Sequence, residues 1–227
     1  MPAGDFMTLK LDPALIPDAP TLEFERALWQ LGIVHVAGID EAGRGALAGP
    51  VAAASVILPP DGSIATTLEG VRDSKMMTPA QRESWSGCIR DVAVTWGLGF
   101  GSPAEVDALG IVPATCLAAH RALAELEPPP EHLLLDYLLL PEAPQPQTAL
   151  VKGDMRSLSI AAASVIAKTG RDAILVELDD HYPGYGFAAH KGYGTKFHRE
   201  AIQTLGPSPV HRFSFAPLRT MDKKEIR

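Results

Sequence analysis

The sequence is poor in cysteine and lacks both a long apolar run and an internal repeat. Its 227 residues include two cysteines, Cys88 and Cys116, which lie far apart in helix-like segments. Two such thiols form neither a disulfide framework nor a zinc site, so a reducing compartment is favoured. The N-terminal segment has no basic stretch followed by an apolar one, and no apolar run could cross a bilayer. The sequence therefore predicts a soluble cytoplasmic protein that does not bind membranes.

The chain also lacks an overall positive charge, but its charges are unevenly distributed. The formal net charge is −7 and the pI is near 5.5. Residues 1–150 contain 8 basic and 19 acidic side chains, whereas residues 190–227 contain 8 basic and 3 acidic ones. Polyanions are bound by local patches rather than by net charge. A nucleic-acid surface near the C-terminus is therefore compatible with the sequence, although a merely solvated basic terminus would explain the charge equally well.

The order of apolar segments and helix-start signals indicates the fold class. Two capping boxes, Thr78 with Gln81 and Ser102 with Glu105, predict helix starts, and an alanine-rich helix is predicted from about residue 157 to 180. Short apolar segments rich in β-branched residues predict strands at 34–39, 51–58, 92–100, 133–136 and 148–152. The first three strands can be consecutive and antiparallel, and the later ones alternate with helices. This pattern predicts an α/β protein with a mixed sheet flanked by helices.

Changes in composition divide the chain into three parts. We expect a proline-rich N-terminal arm and one short helix over residues 1–32, with Thr21 as the N-cap of that helix. The main domain is expected over residues 33–180, and a small, basic, helical extension over residues 181–227. The extension is expected to contribute to substrate binding.

An acid follows three of the predicted strands, at Asp40, Asp136 and Asp154, and Glu41 adds a fourth carboxylate. Acids that follow neighbouring strands of one sheet converge at one edge. Four carboxylates at close range repel one another unless cations are present, and all-oxygen sites suit Mg²⁺ or Mn²⁺. The pattern predicts a two-metal site for phosphodiester cleavage. A surface or loop-capping role remains the more common explanation for any single acid among them.

The segment Gly43-Arg44-Gly45 follows the first two acids directly. Glycines on both sides of an arginine let the backbone approach a sugar-phosphate closely, and the guanidinium can bind phosphate through two hydrogen bonds. A tight turn is the commoner role of such a segment, but its position beside the acids makes it a candidate for substrate contact.

Several motifs, in a fixed order, resemble the bacterial ribonuclease HII family. The first is Gly-Ile-Asp-Glu-Ala-Gly-Arg-Gly at 38–45, which continues through Leu-Ala-Gly-Pro-Val at 47–51. The later motifs lie at 73–75, Asp136, 152–154, 160–168, 171–172, 190–193, 211–212 and 214–215. Each motif is modest on its own, but the ordered set is specific and covers about residues 37–215.

The resemblance implies a ribonuclease H-like fold and a metal-dependent endonuclease. The expected substrates are the RNA strand of RNA–DNA hybrids and single ribonucleotides embedded in duplex DNA. Cleavage at the RNA–DNA junction would leave a 3′-hydroxyl and a 5′-phosphate and would serve the removal of misincorporated ribonucleotides. No sequence feature argues against a monomer.

The resemblance also implies roles for individual residues. Metal ligation and catalysis are implied for Asp40, Glu41, Asp136 and Asp154. Sensing of the 2′-hydroxyl is implied for Gly43, Arg44 and Gly45, since that group distinguishes RNA from DNA, and stacking on the sugar beside the junction is implied for Tyr193. We expect phosphate contacts from Lys75, Lys191 and Arg212.

Two positions leave alternatives open. Asp172 is a rival for the fourth acid, but Lys168 lies four residues before it, so an ordinary helix ion pair explains it and Asp154 is preferred. Tyr137 departs from the family pattern, which usually has glycine after the third acid. A bulky residue there could reshape the strand end or crowd the substrate groove.

Three other functions are compatible with parts of the pattern. Ribonuclease HIII carries an additional N-terminal substrate-binding domain, whereas only about 35 residues precede the first predicted strand here. A generic two-metal nuclease or phosphatase would not distinguish RNA from DNA at the cleaved bond. A catalytically silent binding module would be expected to lack at least one of the four acids, and all four are present.

Overall fold

The computed structural model describes residues 16–220, so most of the predicted N-terminal arm and the end of the C-terminal extension lie outside the described residues. The strands are β1 (Val36–Ala42), β2 (Val51–Ile57), β3 (Thr95–Gly101), β4 (His132–Asp136) and β5 (Gln147–Leu150). The helices are α1 (Glu23–Trp29), α2 (Ile64–Thr67), α3 (Pro79–Val92), α4 (Pro103–Leu109), α5 (Ile111–Ala124), α6 (Leu158–His181), α7 (Phe187–His190) and α8 (Lys196–Leu205).

The five strands form one mixed sheet in the order β3-β2-β1-β4-β5. Strands β1, β2 and β3 are consecutive and antiparallel, while β4 and β5 run parallel to β1. The predicted mixed sheet and its antiparallel first half are therefore confirmed. Strand β1 differs from the prediction, because it continues past Asp40 to Ala42. Asp40 and Glu41 pair with the small residues Ala54 and Ala53 of β2 and so lie within the strand.

Helices cover both faces of the sheet. One face packs against α6, whose alanines Ala161, Ala162 and Ala163 are fully buried in the same cluster as Val56 and Ile89. Alanine carries no bulky side chain, so this helix approaches the strands closely. The other face packs against α5 through a cluster that includes residues of β1, β2 and β4. Both faces of the central strand β1 are consequently shielded from water, which fixes the position of the acids that it carries.

Helix starts were predicted correctly where the sequence contains a capping box. Thr78 and Gln81 exchange side-chain hydrogen bonds at the start of α3, and Ser102 and Glu105 do so at the start of α4. The prediction of Thr21 as an N-cap is wrong. Leu22 holds that position without a side-chain hydrogen bond. Thr21 instead forms a parallel bridge with the segment that precedes α6, through its N–H to the Arg156 carbonyl and its own carbonyl to the Leu158 N–H.

Helix α1 is tied to the start of α6 by a buried carboxylate. Glu25 is 1% exposed, and its Oε1 accepts hydrogen bonds from the Ser157 Oγ at 2.6 Å, the Ser159 N at 2.9 Å and the Ser159 Oγ at 2.6 Å. A negative charge at a helix N-terminus is favoured by the partial positive charge of the free N–H groups there. Glu25 therefore fixes the turn between β5 and α6.

The C-terminal extension is folded against the main domain. Its apolar residues Tyr185, Phe187 and Ile202 pack with Leu47 and Ala48, which follow β1 in the chain. The backbone N–H of Leu47 donates to the Gly192 carbonyl at 2.8 Å. Within residues 16–220, no helix is long and apolar enough to cross a membrane.

Candidate active site

Four carboxylates lie at one edge of the sheet. Asp40 and Glu41 are in β1, Asp136 ends β4, and Asp154 lies in the short turn after β5. Strands β1, β4 and β5 are parallel neighbours, so their carboxyl ends point to the same edge. The Gly153 N–H donates to Asp136 Oδ1 at 2.7 Å and links the end of β4 to the turn that carries Asp154. The structure therefore brings together the four acids that were predicted to meet at this edge.

Asp40 is the most deeply buried of the four. It is 4% exposed; its Oδ1 accepts from the Glu41 N–H at 2.8 Å, while its Oδ2 is buried without a hydrogen-bond partner among the described residues. Burial, followed by the charges of Glu41 and Asp136, raises the pKa of Asp40 well above its usual value, and the nearby Ser164 hydroxyl opposes this only in part. A buried carboxylate with a free oxygen is poorly stabilised by the protein alone.

The pKa values of the other two aspartates, Asp136 and Asp154, are also raised. Burial and the charges of Asp136 and Asp73 raise the pKa of Asp154 to about 6, although Lys75 lowers it. The pKa of Asp136 is also raised, chiefly by burial and against the effect of its hydrogen bond from Gly153. Like charges are thus concentrated here beyond what the surrounding residues neutralise.

The carboxylates do not form a ready-made ligand set with their present side-chain positions. Across residues 16–220, no group of three or more His, Cys, Asp or Glu side chains is arranged so that it could hold a metal ion. Glu41 Oε1 instead accepts from Arg44 Nη1 at 3.1 Å, and Asp136 Oδ1 accepts from Gly153. Each of these bonds engages one carboxylate oxygen, so the second oxygen of Glu41 and of Asp136 remains available to a cation once the side chains turn towards it.

Lys75 faces the acids. Its Nζ lies 3.6 Å from Asp154 Oδ2 and 3.8 Å from Asp73 Oδ1. Partial burial opposes the effect, but Asp73, Asp154 and Asp40 together raise the pKa of Lys75. Its side chain is nevertheless 74% exposed, so the ammonium also remains accessible to a ligand at the edge of the sheet.

Left-handed backbone occurs beside three of the predicted site elements. The non-glycine residues with positive φ in the described part of the chain are Tyr137 (64°), Lys152 (55°) and Lys191 (51°). Strained residues of this kind cluster at functional sites. The positive φ of Tyr137 favours glycine, the residue that the resemblance leads us to expect there, because glycine adopts this conformation without steric conflict. Tyr137 is 66% exposed, so it lies on the surface beside Asp136 and does not fill the core.

Two buried arginines lie under the Gly-Arg-Gly loop and the segment that follows it. Arg171 donates to the carbonyls of Pro50, Ala48 and Lys191, at 2.8, 3.1 and 2.9 Å. Arg212 donates to the carbonyls of Gly49 and Arg44, both at 3.0 Å. The prediction that Arg212 contacts phosphate is wrong, because Arg212 is 0% exposed. Its guanidinium supports the backbone of the loop instead. No such role was predicted for Arg171, because contacts between a helix side chain and distant loop carbonyls leave no spacing pattern in the sequence.

The two glycines of the loop differ in what requires them. Gly43 has φ +88°, and a Cβ there would lie 1.8 Å from Arg171 Nε, so the protein's own packing excludes a side chain. Gly45 is exposed, its φ is not positive, and a Cβ there would meet no atom within 4 Å. Nothing within the described residues demands glycine at position 45. A close approach by a bound molecule would account for it.

Tyr193 lies in a loop next to the arginine layer. It is 39% exposed, and its ring lies 5.6 Å from the Arg171 guanidinium carbon and 5.7 Å from Lys168 Nζ. Lys191 Nζ donates to the Ala188 carbonyl, so its ammonium is partly engaged within the protein. Beside this loop is a groove of about 430 Å³, lined by residues that include Arg82, Lys168, Lys191 and Tyr193.

Asp172, the rival acid, belongs to a different set of contacts. It accepts from Lys168 Nζ at 2.7 Å and lies 3.8 Å from Arg82 Nη2. The helix ion pair that the spacing indicated is therefore present, and Asp172 faces basic side chains rather than the other carboxylates.

Comparison with known proteins is consistent with this geometry. A family model described as ribonuclease HII matches residues 37–218. The chain is 55% identical over 211 residues to a ribonuclease HII of Synechococcus sp. (strain JA-3-3Ab), which covers 91% of this chain and 93% of that relative. The crystal structure of ribonuclease H2 from Pyrococcus horikoshii OT3 matches 84% of this chain and 98% of its own, with a TM-score of 0.70 and 25% identity.

A ribonuclease HIII (Bst) solved in complex with Mn²⁺ shares the fold, with a TM-score of 0.61 at 19% identity over 85% of this chain and 70% of its own. That level of identity supports the architecture alone. The match to the family model and the identity to the curated relative decide the assignment: the chain belongs to the ribonuclease HII family.

Proposed function

We propose that the protein is a metal-dependent endonuclease that cuts the RNA strand of RNA–DNA hybrids and cuts at single ribonucleotides embedded in duplex DNA. Cleavage takes place at RNA–DNA junctions and leaves a 3′-hydroxyl and a 5′-phosphate, so that misincorporated ribonucleotides are removed. The observation that carries the proposal is the exposed Gly45 loop directly beside four clustered carboxylates. A 2′-hydroxyl reader must lie next to the bond that is cut.

The donor set fits a hard divalent cation, Mg²⁺ or Mn²⁺. All four ligands would be carboxylates: Asp40, Glu41, Asp136 and Asp154. Support comes from the buried, unpartnered Oδ2 of Asp40 and from the raised pKa values of the three aspartates, since a cation would stabilise each charged form. Such ions, when bound, supply an activated water and stabilise the leaving oxygen.

The substrate side is assigned to the loop and to the groove. The Gly45 backbone leaves room for a sugar, and Arg44, whose side chain is 40% exposed, can turn from Glu41 to a phosphate. The half-exposed ring of Tyr193 offers a stacking surface for the sugar beside the junction. Lys75, which faces Asp154, and Lys191, which lines the groove, would contact phosphates, which position the duplex but do not specify its sequence.

The central test is a cleavage assay on a DNA duplex with one ribonucleotide. With Mg²⁺ or Mn²⁺ we expect a nick beside the ribonucleotide, and with a chelator no product. An all-DNA duplex of the same sequence should stay intact, whereas a nuclease without junction specificity would cut it as well. Absence of the metal-dependent nick in the intact protein would overturn the proposed function.

A pair of matched variants tests the acids. Asp40→Asn should abolish cleavage yet fold normally, because it removes a charge that burial disfavours. Asp91→Asn is the control, since this acid is exposed in the last turn of α3, away from the other carboxylates, and it should retain the activity. Wild-type cleavage by the Asp40 variant, or loss confined to the Asp91 variant, would contradict the assignment of the ligands.

A further inference from the structure

Three histidines form a cluster beside the Tyr193 loop, two of them buried and His190 half-buried, and the proposed reaction uses none of them. His198 is 0% exposed and His211 is 1% exposed. The rings of His190 and His198 are stacked at 4.3 Å, and the Nε2 atoms of His198 and His211 are 3.1 Å apart. Such a cluster needs a physical account, because a buried imidazole is tolerated only when its nitrogens are matched to partners.

The Tyr193 carbonyl and the contact between the two rings fix the protonated nitrogen of each ring. The Tyr193 carbonyl can only accept, so His198 Nδ1, 3.0 Å away, carries the hydrogen and the Nε2 of this neutral ring does not. Between the two rings the donor is then His211 Nε2 and the acceptor is His198 Nε2. His211 Nδ1 is left as an acceptor for the Ser208 N–H at 3.0 Å and the Ser208 hydroxyl at 2.8 Å, so the Ser208 carbonyl, 3.2 Å from the same nitrogen, receives no hydrogen bond from it.

The result is one continuous chain of hydrogen bonds with a single direction. It runs from the Ser208 N–H through His211 and His198 to the Tyr193 carbonyl. Both rings are neutral in this arrangement, because a second proton on His198 would put two N–H groups face to face, and one on His211 would displace the hydrogen bonds that its Nδ1 accepts from Ser208. Burial accordingly lowers the pKa of both histidines to about 4, so the chain persists at neutral pH.

The cluster does not have the properties of a metal site. In His190, Nε2 donates to the Tyr185 carbonyl and Nδ1 accepts from the Gly192 N–H, which leaves no free nitrogen. Between His198 and His211 the only free lone pair is that of His198 Nε2, and it already accepts the hydrogen of His211 Nε2. The cluster therefore orients backbone instead of binding an ion.

The chain of hydrogen bonds links the Tyr193 loop to the segment that supports the Gly-Arg-Gly loop. Its acceptor end is the Tyr193 carbonyl and its donor end is the Ser208 N–H. In the middle of the chain, His211 bridges to Ala48 of the segment after the Gly-Arg-Gly loop, and the next residue, Arg212, donates to the Arg44 carbonyl. A displacement of Tyr193 or of the Gly-Arg-Gly loop would therefore break or lengthen one of these contacts.

We propose that the buried His198–His211 pair is a positioning device that holds Tyr193 in register with the Gly-Arg-Gly loop, so that the ring meets the sugar next to the one whose 2′-hydroxyl the loop reads. This inference rests on the proposed function. His198 and His211 touch no substrate, and they act through the Tyr193 backbone. Their effect is therefore on junction selectivity more than on the chemistry of bond cleavage.

Two substitutions at one position separate positioning from general stability. In His198→Asn the amide nitrogen lies where Nδ1 was, so the bond to the Tyr193 carbonyl is kept and the bond from His211 is lost. In His198→Gln the amide oxygen can lie where Nε2 was and accept from His211, so that bond is kept and the bond to the Tyr193 carbonyl is lost. Each variant loses one hydrogen bond of the chain, and their thermal stabilities should fall by similar amounts.

The readout is the ratio of kcat/KM on a duplex with one embedded ribonucleotide to kcat/KM on a uniform RNA–DNA hybrid. We expect His198→Gln to lower this ratio on the order of tenfold relative to His198→Asn, since a small misplacement of a positioning group has effects of at least this size. His181→Gln, at an exposed histidine that ends α6, controls for the substitution type and should leave the ratio at the wild-type value. Equal ratios in the two His198 variants, or a lower ratio in His198→Asn, would overturn the positioning role.

A spectroscopic measurement tests the chain without any substrate. In ¹⁵N-labelled wild-type protein near pH 7, His211 should be protonated at Nε2 alone and His198 at Nδ1 alone. The opposite tautomers, or a charged ring, would overturn the inference while the cleavage assay still stood. Conversely, wild-type protein that fails to nick the ribonucleotide duplex, with the expected tautomers present, would overturn the proposed function instead.

Discussion

Replacement of Tyr137 by glycine should stabilise the protein. Tyr137 has φ 64°, and a left-handed residue with a Cβ costs about 1–2 kcal/mol relative to one in an ordinary region. Glycine relieves that strain but adds about 0.5–1 kcal/mol of backbone entropy to the unfolded chain. The ring is 66% exposed, so its removal sacrifices little packing. The net expectation is a gain of about 0.5–1 kcal/mol in the free energy of unfolding.

Tyr137→Ala is the matched control, because alanine also lacks the ring but keeps the Cβ and therefore the strain. The glycine variant should unfold at a temperature about 2–4 °C above the alanine variant, the shift that about 1 kcal/mol produces in a chain of this size. Thermal and urea unfolding in chelator would measure the difference without any contribution from bound metal. A glycine variant that is less stable than the alanine variant would refute the reasoning, since it would mean that Tyr137 is not strained.

Three further predictions concern the loop, the N-terminal helix and the histidine pair. Gly45→Ala should preserve the melting temperature but lower the rate of junction cleavage. Gly43→Ala should lower the melting temperature, because its Cβ would collide with the buried Arg171. Thermal melts and nicking assays on both variants measure these effects. Glu25→Ala should lower the free energy of unfolding by about 3 kcal/mol, measured in urea, since it leaves buried donors unpaired. The His198–His211 pair should make the fold acid-labile. Its contribution to the free energy of unfolding should be complete above about pH 6.5 and lost as the pH falls towards 4, because the histidines bind protons in the unfolded state but stay neutral when buried.

Each of these has a control within the chain. Equal stability of Gly43→Ala and Gly45→Ala would contradict the packing argument. Glu23→Ala, on the exposed side of the helix that carries Glu25, should leave the free energy of unfolding in urea almost unchanged. The acid measurement is also affected by Asp40, Asp136 and Asp154, whose raised pKa values have the opposite sign: their protonation favours the folded state as the pH falls. Replacing all three by asparagine removes these contributions, so a melt of that variant without acid lability between pH 6.5 and 4 would contradict the role of the histidines.

The fold was largely predictable because its signals are local. Both capping boxes formed as the sequence indicated, and the strands before Asp136 and Asp154 end within two residues of their predicted bounds. The extension of β1 through Asp40 was not predictable, since it depends on pairing with the alanines of β2. Thr21 failed as a cap for a similar reason: its segment pairs with the turn before α6, a contact that sequence spacing does not report.

The site was predictable to the extent that acids and glycines mark it. The spacing of Asp40, Asp136 and Asp154 relative to the strands sufficed to bring them to one edge. The support beneath them was not predictable, because a buried arginine such as Arg212 looks in sequence like a surface cation. Its burial follows from unpaired loop carbonyls, which become visible only when both segments are in place.

The clamp of Arg212 on the Arg44 carbonyl joins two residues that are 168 positions apart, which has a consequence for synthesis on the ribosome. At typical elongation rates the second residue emerges roughly ten to thirty seconds after the first. The Gly-Arg-Gly loop therefore stays unsupported while the residues of all five strands are already made. A nascent chain carries the acids before it carries the means to recognise a ribonucleotide, so substrate selection is the last property that the growing chain acquires.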